Sequence, residues 1–276
     1  MHTNTIAILG AGNMGSSLLL GLIASQHPAK QLWIADPDAD KLRLLQQQCH
    51  VHTTIHNEEA VQNADTVILA VKPQVMNRVV QALASIVQQK KPLVISIAAG
   101  IREECLQKGL GQNIAIVRCM PNTPALIRAG ASALYANRFV NEKQHALAES
   151  ILRAVGIVVW VKKEEEMDAV TALSGSGPAY FFLIIDALQK AGEKLGLSHE
   201  TARLLALQTA FGAAKMALES DESVDELRRR VTSPGGTTEA AIGVLQKENI
   251  EEIFVKALDA AYSRSKELAE LFSKEN

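Results

Sequence analysis

The stretch Thr5-Ile6-Ala7-Ile8-Leu9-Gly10-Ala11-Gly12-Asn13-Met14-Gly15 decides the fold, because an apolar run leads directly into a G-x-G-x-x-G turn. Short apolar runs bounded by glycine are typical of buried strands, and residues 16–24 continue as an apolar helix. Gly10 permits a tight turn, Gly12 lets a pyrophosphate approach the backbone, and Gly15 allows the helix to pack closely. The stretch therefore predicts a strand–turn–helix unit that binds a dinucleotide.

A second predicted strand, residues 31–35, ends at Asp36. In a dinucleotide-binding unit, an acidic side chain near this position accepts hydrogen bonds from the two hydroxyls of the adenosine ribose and repels a 2′-phosphate. Asp36 therefore favours NADH over NADPH. Lys41 and Arg43 follow within one or two helical turns and supply positive charge that offsets the repulsion. The residues thus leave the choice of cofactor open.

Further apolar runs alternate with helical patterns, and this alternation predicts an α/β fold with a Rossmann-type, doubly wound parallel sheet. The additional strands are predicted at residues 66–71, 93–97, 114–119, 131–135 and 156–161. Because the strand signal ends there, residues 1–161 are predicted to form the dinucleotide-binding domain. Residues 162–166, Lys-Lys-Glu-Glu-Glu, are predicted to be a solvated boundary or the first turn of a helix.

Residues 162–276 are predicted to form an all-helical domain, because no further strand pattern follows. Two of its helices, residues 179–191 and 202–218, are apolar on nearly every side, and so small a domain cannot bury both. Charged residues interrupt these runs well short of a membrane-spanning length, so no membrane partner is expected. We expect a subunit interface to cover the two helices.

A second glycine-rich segment, Ser233-Pro234-Gly235-Gly236-Thr237-Thr238, stands at the start of a predicted helix. The proline fixes its own φ, the paired glycines allow close backbone approach, and the N–H groups of a first helical turn attract negative charge. A carboxylate, a phosphate or a plain capped loop without a ligand all fit these residues. The segment is a candidate anion site whose ligand the residues leave open.

The composition is that of a soluble, cytoplasmic protein with small-molecule partners. The chain has 276 residues with 47% hydrophobic content, and 30 acidic residues against 28 basic ones give a formal charge of −2. No global field therefore attracts nucleic acid or an anionic membrane. The first residues lack the basic and apolar regions of a signal peptide, so a cytoplasmic location is predicted.

The three cysteines, Cys49, Cys105 and Cys119, are widely spaced and predict neither a disulfide framework nor a zinc site. Cys49 does lie close to three histidines, His50, His52 and His56. However, no carboxylate or second thiol stands at ligand spacing, so no metal is predicted.

The motifs taken together resemble the pyrroline-5-carboxylate reductases over essentially the whole chain. The resemblance rests on residues 10–15, Ala70-Val71-Lys72-Pro73, Ile97-Ala98-Ala99-Gly100, Met120-Pro121-Asn122-Thr123-Pro124, Leu173-Ser174-Gly175-Ser176-Gly177-Pro178-Ala179-Tyr180 and residues 231–238. It implies hydride transfer from NAD(P)H to the cyclic imine 1-pyrroline-5-carboxylate, which gives L-proline in the last step of proline biosynthesis. Family members commonly use NADPH, so either NADPH or NADH is expected.

The resemblance also implies site residues. Each of the cofactor residues lies at or near the carboxyl end of a predicted strand, where open α/β sheets bind ligands. This cofactor-binding set is Leu9, Gly10, Ala11, Gly12, Asn13, Met14, Asp36, Asn57, Ala70, Val71, Lys72, Pro73, Ile97, Ala98 and Ala99.

The substrate is implied to bind at Ser233, Gly236, Thr237 and Thr238. Backbone N–H groups and the Ser233 hydroxyl would hold the carboxylate, while Thr238 would face the ring nitrogen as the catalytic residue. The resemblance further implies a homodimer through the helical domain, in which the turn of one subunit faces the nicotinamide of its neighbour, and a decamer of five dimers.

Three alternative functions are weighed against this one. A β-hydroxyacid-dehydrogenase-like oxidoreductase should carry a lysine in a G-x-G-x-x-x-K pattern, but the position counted from Gly175 and Gly177 is Phe181. A non-catalytic dinucleotide-binding sensor would not need residues 231–238. A serine hydrolase needs G-x-S-x-G, and neither Ser174 nor Ser176 has glycines at both flanking offsets.

Overall fold

The computed structural model describes residues 4–274, which form one eight-stranded sheet and a series of helices. The strands are β1 (Ile6–Leu9), β2 (Leu32–Ala35), β3 (His52–Thr54), β4 (Thr66–Leu69), β5 (Leu93–Ser96), β6 (Ile116–Met120), β7 (Gly130–Ala136) and β8 (Gly156–Trp160). Their order across the sheet is β3-β2-β1-β4-β5-β6-β7-β8. This order is that of a doubly wound sheet, because the chain starts near the middle and winds outward in both directions. The predicted fold class is confirmed.

One part of the predicted parallel sheet is wrong: β7 pairs with β6 in the antiparallel direction, and β8 then pairs with β7 in parallel. The connection between β6 and β7 contains only a short 3-10 turn, Thr123–Ile127. A parallel pair needs a longer crossover, usually a helix, so this short connection reverses the chain.

The helices of the first part alternate with the strands, and those of the last part follow one another. They are α1 (Asn13–Ala24), α2 (Ala39–Cys49), α3 (Asn57–Gln62), α4 (Pro73–Lys90), α5 (Glu103–Leu110), α6 (Glu142–Arg153), α7 (Glu166–Val170), α8 (Gly177–Lys194), α9 (His199–Glu219), α10 (Val224–Arg230), α11 (Thr237–Lys247) and α12 (Ile250–Lys274). A π-helical turn, Thr171–Gly175, separates α7 from α8.

The sheet is buried on both faces, which explains why its strands are apolar runs without polar alternation. In β1, Ile6 and Ile8 belong to one apolar cluster, whereas Ala7 and Leu9 belong to another. Successive side chains of a strand point to opposite faces, so the two clusters are the cores on the two sides of the sheet.

The chain divides into two compact units, Met1–Ser176 with Ala261–Asn276, and Gly177–Ala260. The first unit contains the sheet, α1 to α7 and the C-terminal part of α12. That part belongs to this unit because Ser265 and Ala269 are buried, and the Ser265 hydroxyl donates to Asp168 at 2.7 Å.

The second unit is entirely helical and leaves its large apolar side chains uncovered. Of residues 177–260, only Gly177, Ala202 and Ala206 are buried. Phe181, Phe182, Leu204, Phe211 and Met216 are among its exposed large side chains. As expected from the sequence, a single chain does not cover α8 and α9.

Candidate functional site

The turn after β1 has the geometry that its glycines predict. Gly10 has a φ of +109°, and a Cβ added there would lie 2.6 Å from the Ala70 carbonyl oxygen. A Cβ added to Gly15 would lie 2.0 Å from the Gly10 carbonyl oxygen. Both glycines are therefore required by close backbone approach within the protein itself.

Gly12 differs from these two, because a Cβ added to it would meet no atom within 4 Å. Gly12 is exposed and caps the amino end of α1, which has no side-chain cap and no acidic residue in its first turn. The amino end of a helix attracts anions through its free N–H groups. The open space at Gly12 is therefore suited to a phosphate group.

Asp36 connects the end of β2 to the glycine turn. One carboxylate oxygen accepts a hydrogen bond from the Ala11 N–H at 2.8 Å, and the other accepts one from the Asp38 N–H at 3.0 Å. Each carboxylate oxygen has a second lone pair, so the side chain retains acceptor capacity for a ribose hydroxyl.

A cleft of about 390 Å³ opens beside this turn. Seven residues of the predicted cofactor set line it, namely Gly10, Gly12, Asp36, Asn57, Ala70, Val71 and Lys72. The rest of the set lies outside the cleft wall. Leu9 and Ala11 are buried beside it, Asn13 and Met14 begin α1, Pro73 begins α4, and Ile97, Ala98 and Ala99 follow β5.

The cleft also contains residues that were not predicted to bind the cofactor. Val75, Arg78 and Val79 of α4 line one wall, and Ile55 lines the cleft after β3. Ile55 is 55% exposed and Val75 is 37% exposed, so both present apolar surface that an adenine ring can cover. The spacing of 75, 78 and 79 along one helix face is a signal that sequence reasoning could have used.

Lys41 and Arg43, which were expected to offset the charge of Asp36, are paired with neighbouring aspartates. The Lys41 ammonium lies 3.3 Å from Asp38, and the Arg43 guanidinium lies 3.2 Å from Asp40. The Lys41 backbone N–H and side chain lower the pKa of Asp38, which keeps that carboxylate charged. Lys41 lines the cleft, but Arg43 does not.

Arg102, just beyond the segment after β5, is held by a buried carboxylate. It donates to Asp168 of α7 at 2.5 Å, and the other oxygen of Asp168 accepts from Ser265 of α12 at 2.7 Å. The Asp168 side chain is only 5% exposed. This ion pair ties two helices to the carboxyl edge of the sheet, and sequence reasoning did not identify it.

The prediction that residues 162–166 form a solvated boundary or the first turn of a helix is wrong for Glu164. This side chain accepts from Arg118 of β6 at 2.8 Å and from the Glu103 N–H at 2.6 Å. Burial lowers the pKa of Arg118, and the attraction of Glu164 opposes that shift. The two charges compensate each other, and α7 itself begins only at Glu166.

The turn between α10 and α11 has free N–H groups at a helix start. The Gly236 N–H donates to the Ser233 carbonyl at 3.0 Å and the Gly235 N–H donates to the Glu239 carboxylate at 2.7 Å, so both are used within the turn. Gly236 is the N-cap of α11. Among the described residues, the N–H groups of Thr237 and Thr238 donate no hydrogen bond. The same is true of the Glu239 N–H, so the first turn of α11 has donors available to an anion.

The cysteine and histidines near the end of α2 do not converge. Cys49 is buried in the core, where burial raises the pKa of its thiol, while His52 is exposed and stacks on Trp33 with ring centroids 4.6 Å apart. Across residues 4–274, no group of three or more histidine, cysteine or acidic side chains is arranged to hold a metal ion.

Two family models match the chain. Residues 5–100 match the model described as NADP oxidoreductase coenzyme F420-dependent, and residues 164–268 match the model for pyrroline-5-carboxylate reductase dimerisation. The chain is 53% identical over 270 residues to a pyrroline-5-carboxylate reductase of Pseudomonas aeruginosa, with 98% of each chain covered. It is 42% identical to the enzyme of that name from Haemophilus influenzae, covering 99% of this chain and 100% of the relative.

The chain belongs to the pyrroline-5-carboxylate reductase family. A solved reductase from Coxiella burnetii is 50% identical and superposes with a TM-score of 0.95 over 97% of this chain and 99% of that one. A Plasmodium falciparum pyrroline carboxylate reductase with NADP bound is 31% identical and has a TM-score of 0.85 over 98% and 99% of the two chains.

Membership of the reductase family removes the alternatives weighed from the sequence. Prephenate dehydrogenase from Aquifex aeolicus superposes with a TM-score of 0.53 at 17% identity, which shows a shared fold alone. A dinucleotide-binding sensor would have no need of a reductase dimerisation segment, which this chain contains.

One segment of the described chain, Glu166–Lys194, is long and apolar enough by length and composition to cross a membrane, and 17% of its most apolar window is buried. A helix that packs in a subunit interface has the same composition. Its match to the reductase dimerisation model favours the interface.

Proposed function

We propose that this protein is an NAD(P)H-dependent pyrroline-5-carboxylate reductase that reduces the cyclic imine of 1-pyrroline-5-carboxylate to L-proline, the last step of proline biosynthesis. One observation carries the proposal. This member of the reductase family has both an open space for a phosphate at Gly12 and free N–H donors at Thr237 and Thr238. The first suits a dinucleotide and the second suits the single carboxylate of this substrate.

The residues of the cleft fit a nicotinamide dinucleotide. Gly12 leaves room for the pyrophosphate at the amino end of α1, Asp36 can accept from the ribose, and Ile55 with Val75 offers apolar surface for the adenine. When bound, the reduced cofactor supplies the hydride that saturates the C=N bond. Both NADPH and NADH are candidates.

We propose that Ser233, Gly236, Thr237 and Thr238 bind the substrate. The N–H groups of Thr237 and Thr238 hold the carboxylate, and the Ser233 hydroxyl adds a further donor. Gly236 contributes by its small size, since its own N–H donates to Ser233. The Thr238 hydroxyl is placed at the ring nitrogen, where it accepts from the iminium and donates to the developing amine.

The chemistry needs orientation more than it needs a strong acid. The ring nitrogen of an iminium already carries its proton, so the chain has to hold the substrate at contact distance from the donor of the hydride and keep water out. This accounts for a predicted substrate site made of hydroxyls and backbone N–H groups without a histidine.

We further propose a cytoplasmic homodimer in which residues 1–161 bind the cofactor and residues 162–276 provide dimerisation and substrate binding. The exposed apolar side chains of α8 and α9 and the dimerisation model over residues 164–268 support this organisation. The turn of one subunit would then complete the site of its partner, and five dimers would form a decamer.

The decisive experiment mixes the purified protein with 1-pyrroline-5-carboxylate and follows the loss of dihydronicotinamide absorbance with NADPH and with NADH in parallel. Oxidation that depends on the imine and yields proline is expected. A reaction without the imine serves as the control. Absence of turnover with both cofactors would refute the reductase function.

A further inference from the structure

The charges around the ribose end of the cleft are unevenly matched. The segment after β2 carries Asp36, Asp38 and Asp40, and its two cations are already paired, Lys41 with Asp38 and Arg43 with Asp40. This segment therefore offers no uncompensated positive charge to a phosphate on the ribose. In dinucleotide-binding folds that discriminate NADP, a cation near this position accommodates the 2′-phosphate.

Helix α4, which lines the same cleft, supplies such a charge. Arg78 of α4 is exposed and lines the same cleft as Asp36 and Lys41. Among residues 4–274 no carboxylate lies within 4.0 Å of its guanidinium, whereas Lys41 has a carboxylate partner. Arg78 stands beside Val75 and Val79 on one face of the helix, so it borders the apolar surface suited to adenine.

Arg78 lies further along α4 than the residues beside the proposed pyrophosphate site at Gly12. Lys72 caps the amino end of α4 beside the glycine turn, and Arg78 lies about 9 Å further along the helix axis at the usual rise per residue. A guanidinium presents several donors in a planar fork that matches phosphate oxygens. Because Arg78 lines the same cleft as Asp36, its guanidinium is available to a phosphate on the ribose.

We propose that Arg78 is a specificity-determining residue that binds the 2′-phosphate of NADPH in the cleft it shares with Asp36. This inference rests on the proposed use of a nicotinamide dinucleotide and adds a residue to that site. Asp36 favours the free diol of NADH, and Arg78 offsets this preference, so the protein accepts both cofactors.

Isothermal titration with NADPH and with NADH tests the inference on the wild type, Arg78→Gln and Arg43→Gln. Arg78→Gln is expected to raise the Kd for NADPH about tenfold and to change the Kd for NADH by less than about twofold, since one charge-assisted hydrogen-bonded contact is lost. Arg43→Gln removes the same charge from a residue outside the cleft wall and should leave both affinities unchanged.

Two fragments locate the effect. Arg78→Gln should lower the affinity for adenosine 2′,5′-bisphosphate and leave the affinity for adenosine 5′-monophosphate unchanged. An equal loss for both fragments and both cofactors would overturn the inference, because Arg78 would then contact the adenine or the pyrophosphate. Unchanged affinities for Arg78→Gln would overturn it too, while the proposed function would stand. A wild-type protein that binds neither cofactor would overturn the inference and the proposed function together.

Discussion

Among single residues, Thr238 carries the most specific chemical role, because it is the hydroxyl proposed to contact the ring nitrogen of the imine. Thr238→Ala is expected to lower turnover about tenfold or more, since a hydrogen bond that strengthens in the transition state is lost. The Kd for NADH, measured by titration, should remain at the wild-type value. Wild-type steady-state kinetics in the variant would remove Thr238 from the mechanism.

Asp36 has two roles at the residue scale, since it supports the glycine turn through Ala11 and is proposed to select the cofactor. Asp36→Ser is expected to shift the ratio of kcat/KM for NADPH and NADH toward NADPH by about tenfold, because repulsion of the 2′-phosphate is removed. Both efficiencies should also fall, since the Ala11 N–H loses its acceptor. A ratio that does not move would indicate that Asp36 faces away from the ribose.

At the scale of elements, the turn between β1 and α1 contains a matched pair of glycines. Gly15→Ala should lower the free energy of unfolding by about 3 kcal/mol, because the new Cβ collides with backbone that cannot move aside. Gly12→Ala should change stability by less than about 1 kcal/mol, since its Cβ meets no protein atom.

Denaturant unfolding at one fixed protein concentration measures the free energy of unfolding of both variants. Titration with NADH measures whether the turn still binds the cofactor. Gly12→Ala should raise the Kd for NADH about tenfold or more, because the methyl group occupies the space proposed for the pyrophosphate. A stable Gly12→Ala protein with wild-type affinity would show that the cofactor lies elsewhere.

For the whole molecule, the apolar surface of the second unit predicts an obligate oligomer. Leu204 and Phe211 are 54% and 62% exposed, and their spacing of seven places them on the same face of α9. The double variant Leu204→Glu/Phe211→Glu is expected to sediment as a monomer and to lose imine reduction while still binding NADH. Leu44→Glu, with a side chain 59% exposed in the first unit, is the matched control. A double variant that sediments like the wild type would place the interface elsewhere.

Most of the fold could be predicted from the sequence because its signals are local. The strand–turn–helix unit at residues 5–24, seven of the eight strands, and the helix start near Gly236 all follow from short patterns of apolar and glycine residues. The short strand β3 was not predicted, because its three residues carry no apolar run. Family motifs spread along the chain further indicated the chemistry. These patterns depend on neighbours in the chain, which the sequence lists directly.

What only the tertiary structure decided depends on residues that are far apart in the chain. The antiparallel β7, the pairing of Glu164 with Arg118, and the bond from Arg102 to Asp168 each join segments whose proximity follows from how the sheet is assembled. The same holds for Arg78, which shares a cleft with Asp36 because α4 and the loop after β2 line the same space. The sequence by itself determined most of the elements and the family, whereas long-range packing decided which charges are paired and which remain available to a ligand.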